Sequence, residues 1–130
     1  MIRIVIVTHG MLAKELVETA RLIFGHLDGV SAINLPRDRD VNEMKAELAS
    51  AVSEAGQDPV ILLTDMYGGS AFMASAVHAS GPGRMLVAGV NLPLLMDILL
   101  ARDGGDLAAV RSSVEANRER YLVVYQEPAK

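Results

Sequence analysis

The sequence predicts an α/β domain: an open, doubly wound, mostly parallel sheet of four strands with helices on both faces. Three features predict it. The runs Ile4–Val7 and Val60–Leu63 are continuously aliphatic, as expected of strands covered on both faces rather than one. Segments with helical spacing separate the strands and are long enough for the crossovers that parallel pairing requires. Glycine, proline and aspartate gather at the junctions, where the chain must turn.

Taken in order, Ile4–Val7 is the first strand and runs into the turn Thr8-His9-Gly10. From Met11 the residues Leu16, Ala20, Ile23, Phe24 and Leu27 recur at helical spacing, with charged residues between them, until Gly25 and Gly29 stop the pattern. Val30 to Leu35 is a short second strand ended by Pro36, and Arg37 and Arg39 beyond it read as a solvated loop. Asp40 and Glu43 form a capping-box pair ahead of a stripe of Val41, Met44, Leu48, Ala51, Val52 and Ala55. The third strand, Val60–Leu63, enters the turn-rich stretch Thr64 to Ser70 and then a third helix. Arg84 to Ala88 gives the fourth strand, and Pro93 suits the first turn of the helix that follows. A further helix is expected from Gly105 to Arg120, and Tyr121–Tyr125 reads as a last strand. With 130 residues and no linker-like stretch, residues 1–130 are expected to form a single domain.

Composition narrows the function. About half the residues are hydrophobic, and the formal charge of -4 gives no long-range attraction to nucleic acid or to an anionic membrane. The absence of cysteine removes thiolate metal sites, disulfides and thiol nucleophiles, and a cytoplasmic location is expected. The apolar stretches near Ile4 and Leu92–Leu100 are too short to span a bilayer.

Ligand chemistry in doubly wound sheets gathers at the carboxyl ends of strands where strand order reverses. Both unusual loops, Thr8-His9-Gly10 and Asp65 to Ser70, leave such ends. Of the three histidines, His9 alone closes a strand and opens a helix, whereas His26 and His78 sit at helix ends and read as solvated or capping groups. If the first and third strands are neighbours, Asp65 faces His9. A carboxylate can then hold one ring N–H and leave the other nitrogen as a nucleophile. Gly68-Gly69 would let the backbone approach an anion, and Ser70 is expected to cap the third helix, whose first amides would meet that anion. Catalytic His9 and Asp65 with phosphate-binding Gly68, Gly69 and Ser70 suit phosphoryl transfer, which needs an in-line nucleophile and preorganised donors more than covalent help. Met11, Met66, Tyr67, Phe72 and Leu94 lie in or near these loops and are candidates to face a partner.

Thr8-His9-Gly10, Asp65-Met66-Tyr67-Gly68-Gly69-Ser70 and Ala88-Gly89-Val90-Asn91-Leu92-Pro93, in this order and spacing, resemble the signature stretches of mannose-family IIA components of the bacterial phosphoenolpyruvate-dependent sugar phosphotransferase system. The likeness runs on through Leu100–Asp103. It implies that His9 accepts a phosphoryl group on Nε2 from the phosphocarrier protein HPr and passes it to a IIB component for sugar uptake, while Asp65 orients the ring. It implies no cofactor, and association with a membrane permease complex rather than insertion. It also implies a homodimer that exchanges the segment Tyr121–Tyr125. Ala71, Phe72 and Met73 depart from the proline and polar residue common after Gly-Gly-Ser in the family. Two other readings compete. A regulatory module would use the same His9 to control a partner without moving sugar, and a metal-dependent hydrolase would need ligand spacing that His9, Asp65 and His78 lack. A receiver domain is excluded, because no acidic pair closes the first strand.

Overall fold

A computed structural model describes residues 1–129. The four aliphatic runs become β1 (Arg3–His9), β2 (Val30–Leu35), β3 (Val60–Thr64) and β4 (Arg84–Ala88). They form one sheet in the order β2-β1-β3-β4, and every pairing is parallel. β1 pairs with β2 on one side and β3 on the other, so the strand order reverses between β1 and β3. The predicted fold class is the one observed.

Alternate residues of β1 feed two cores. Ile4 and Ile6 join Ile61 and Leu63 beneath α1 (Leu12–Phe24), α4 (Leu92–Gly104) and α5 (Leu107–Ala116). Val5 and Val7 join Leu62 on the other face, beneath α2 (Val41–Glu54) and α3 (Ser70–Ala76). Ile4, Ile6, Ile61, Leu62 and Leu63 are wholly buried, each contributing about 1.5–3 kcal/mol, and this double coverage is why the strands lack polar alternation. On α1 the buried stripe is Ala13, Leu16, Val17 and Ala20, while Ile23, expected on that face, is exposed near the helix end.

The last part of the chain departs from expectation. The helix forecast from Gly105 to Arg120 breaks at Asn117, whose dihedrals (φ -105°, ψ 11°) leave the helical region, and α6 is a single turn, Arg118–Tyr121. Tyr121–Tyr125 is not a strand of this chain. Tyr121 ends α6, and Leu122 to Tyr125 follow without regular structure, their side chains exposed. Apolar side chains suggested a strand, but a strand also needs a ladder partner, and among the described residues of one chain this segment has none. Its start is tethered: Asn91 caps α4 through Leu94 N–H (3.0 Å), and its side-chain amide donates to the Tyr121 carbonyl (2.6 Å). Among the described residues β4 pairs only with β3, so its outer edge is free, and a hollow of about 400 Å³ lies along it beside Tyr121.

Candidate active site at the carboxyl edge of the sheet

His9 is the last residue of β1, at the point of strand reversal. Asp65 follows β3 directly, and the parallel register that sets Val7 against Thr64 brings the two side chains together. Asp65 Oδ2 lies 2.9 Å from His9 Nδ1 and also accepts the His9 main-chain N–H at 3.0 Å. A carboxylate oxygen can only accept, so Nδ1 carries a proton in this contact, and in the neutral ring the lone pair is then on Nε2. His9 is 44% exposed, open enough for a macromolecular partner to reach, whereas Asp65 is 14% exposed and works from behind the ring. Its second oxygen, Oδ1, is buried without a hydrogen-bond partner among the described residues. The Thr64 carbonyl accepts N–H groups from Gly89 (2.8 Å) and Val90 (2.9 Å), which pins the root of the acidic loop to the loop after β4.

Gly68 and Gly69 serve different ends. Gly68 turns the loop with φ 88°, a region side chains disfavour. Gly69 is required by proximity: a Cβ there would stand 2.8 Å from His9 Cε1 and 3.4 Å from Nε2. The start of α3 therefore lies against the Nε2 side of the ring. Ser70 is not the helix cap that the sequence suggests. Gly69 takes the extended cap conformation (φ -79°, ψ 179°) with no side chain to bond, and Ser70 is the exposed first helical residue. The first bond within this helix runs from Met73 N–H to the Gly69 carbonyl (2.9 Å), which leaves the amides before Met73 without acceptors inside the helix.

Of the residues expected to face a partner, Met11, Met66 and Tyr67 are exposed, and Tyr67 stacks at 4.8 Å, tilted, on the half-buried Phe72. Leu94 is the exception. It is 3% exposed and belongs to the core, because α4 begins at Leu92 and its first turn carries Leu94 and Leu95 inward. His26 pairs with Asp28 at 2.6 Å in full solvent, on the connection that leads into β2 at the opposite edge of the sheet. His78 follows α3 and borders a small apolar groove with Lys45 and Val77. Among the described residues no group of histidines and carboxylates could hold a metal ion. Sequence reasoning missed Thr8 and Asn34, whose side chains accept the Ala13 and Lys14 amides at 2.7 and 3.1 Å beside the histidine.

A histidine gripped by an acid at the switch point of a doubly wound sheet, with its second nitrogen unbonded among the described residues, makes this an α/β domain that presents an imidazole at the carboxyl edge of its sheet. Known proteins place that class more narrowly. The family EIIA-man, described as "PTS system fructose IIA component", matches residues 3–115. The mannose-specific EIIAB component of Escherichia coli K12 is 32% identical over 138 residues, covering 99% of this chain, which spans 41% of that protein's length. The fructose-specific EIIA component of Bacillus subtilis 168 is 26% identical over 98% of this chain and 88% of its own. A crystal structure of EIIA from Streptococcus agalactiae superposes with a TM-score of 0.84 at 26% identity, covering 95% of this chain and 97% of that one. The chain belongs to the EIIA-man family of sugar phosphotransferase-system components. No helix among the described residues is long and apolar enough to cross a membrane.

Proposed function

We propose that this chain is a phosphocarrier domain in which His9 Nε2 accepts a phosphoryl group from phospho-HPr and passes it to a IIB component, serving sugar uptake from the cytoplasmic side. The observation that carries the reading is the 2.9 Å contact of Nδ1 with Asp65, which leaves the Nε2 lone pair directed toward the start of α3. In the transfer the Nε2 lone pair forms the new N–P bond as the donor's N–P bond breaks, and the departing nitrogen keeps that electron pair. The Nδ1 proton stays where it is, and Asp65 balances the positive charge that builds on the ring. Backbone groups of Gly68 and Gly69 and the Ser70 amide and hydroxyl meet the phosphoryl oxygens, and no metal or cofactor is needed. Met11, Met66, Tyr67 and Phe72 supply an apolar rim for both partners.

The working form in this proposal is a homodimer formed through this domain. Support comes from the free outer edge of β4, the hollow beside it, and the exposed apolar segment Leu122–Tyr125, which together offer each subunit an acceptor edge and a strand to donate. The direct test is to incubate the chain with enzyme I, HPr and labelled phosphoenolpyruvate. An acid-labile label that is lost in His9→Ala is expected, and its absence from the wild-type chain refutes the proposal.

A further inference from the structure

We infer that Asn34 is a positioning residue for His9, holding the nucleophile's turn from the side opposite Asp65. Only Gly10 and Met11 separate β1 from α1, so the placement of the first turn of α1 sets the placement of the imidazole. That helix has no cap of its own, since Met11 occupies the cap position without a side-chain bond. Its early amides are satisfied from the neighbouring strands instead. Thr8 Oγ1 accepts from Ala13 N–H at 2.7 Å, and Asn34 Oδ1, on β2, accepts from Lys14 N–H at 3.1 Å.

Asn34 lies in register with Thr8, and the next residue, Leu35, accepts the Gly10 N–H at 2.8 Å. His9 is therefore held between two strands, by Asp65 from β3 and by Asn34 and Leu35 from β2. Asn34 is itself braced. Its carbonyl accepts from Arg39 Nη1 at 2.9 Å, and the same nitrogen pairs with Glu47 of α2 at 2.7 Å. Thr8 is wholly buried and its loss would disturb the sheet, whereas the half-buried Asn34 can be altered with water as a replacement. Removing the Asn34 acceptor should loosen the histidine turn without unfolding the domain.

The kinetic arm of the test rests on the phosphocarrier reading, and the spectroscopic arm does not. In the full 130-residue chain, Asn34→Ala should lower the rate of phosphoryl uptake from phospho-HPr by about 3- to 30-fold, the range that a lost helix-cap interaction corresponds to. Asn34→Asp keeps an acceptor for the Lys14 amide and should return the rate to within about twofold of wild type. Nitrogen-edited NMR of the unphosphorylated protein should show the His9 Nδ1–H signal shifted or broadened in Asn34→Ala and restored in Asn34→Asp. An unchanged Nδ1–H signal in Asn34→Ala, or a loss that aspartate does not restore, overturns the inference. A wild-type chain that takes up no phosphoryl group refutes the phosphocarrier reading instead, and the ring spectrum then decides the role of Asn34. If circular dichroism shows Asn34→Ala to be unfolded, Asn34→Gln, which moves the acceptor by one methylene, is judged by the same signals.

Discussion

Gly69→Ala isolates the packing of the helix start against the proposed nucleophile, His9. The backbone at Gly69 (φ -79°) suits alanine, so no dihedral strain enters. The new methyl carbon would stand 2.8 Å from His9 Cε1, where carbon atoms ordinarily rest about 3.5–4.0 Å apart, so the ring must retreat on the order of 1 Å. His9 is half exposed and can yield, which keeps the stability cost below about 1 kcal/mol. It cannot yield without lengthening the 2.9 Å bond to Asp65, and a displacement of that size at a reacting atom costs about 100-fold in rate. The assay is single-turnover transfer from phospho-HPr, with urea unfolding in parallel. Gly81→Ala serves as the comparison, since Gly81 has φ 91° in open space away from the site and should lose about 1 kcal/mol of stability with no change in transfer. Gly69→Ala transferring within about twofold of the wild-type rate would refute the claim that this glycine exists to seat the imidazole.

Three further outcomes are expected. Asp65→Asn removes the charge that fixes the tautomer and should slow transfer about ten- to a thousandfold in a folded protein, and an unchanged rate would reduce Asp65 to a structural role. Burial, and then the neighbouring Asp97, push the Tyr121 phenol from 10.0 up to about 12. Its hydroxyl and Asp97 Oδ2 are both buried without a completed hydrogen bond. Because the folded value is the higher one, the stability linked to this group is fully present below pH 10 and is lost as pH rises toward 12. The urea midpoint of wild type should therefore fall relative to Tyr121→Phe between pH 9 and pH 11, and parallel curves would contradict the assignment. If the proposed homodimer forms through the C-terminal segment, truncation after Tyr121 should convert it to a monomer by sedimentation, and an unaltered dimer would remove Leu122–Tyr125 from the interface.

The layered fold was legible because burial on both faces leaves an imprint on composition. Ile4–Val7 and Val60–Leu63 carry no polar positions, and strand β2 was readable to the residue from its flanking glycine and proline. The meeting of His9 and Asp65 was legible because one closes and the other directly follows strands that neighbour each other in the sheet. Ser70 was misplaced by one position, since a serine before a helix suggests a cap by chemistry, whereas the backbone lets Gly69 take that place. Leu94 looked accessible from its place in a loop sequence, but the turn of α4 carries it inward. Asn34 carried no signal, because a polar residue late in a strand is also what a solvated edge would show. Its meaning depends on Lys14, a residue 20 positions earlier that only the folded chain brings within reach.

One oxygen of Asp65 accepts hydrogen bonds from both the main chain and the ring of the same histidine, which fixes the bearing of the imidazole in this structure. A group fixed in that manner cannot be handed from one client to another by swinging. In the proposed phosphocarrier cycle, donor and acceptor must each come to the same spot and vacate it before the other arrives, and varying the concentration of one against the other should give parallel reciprocal plots.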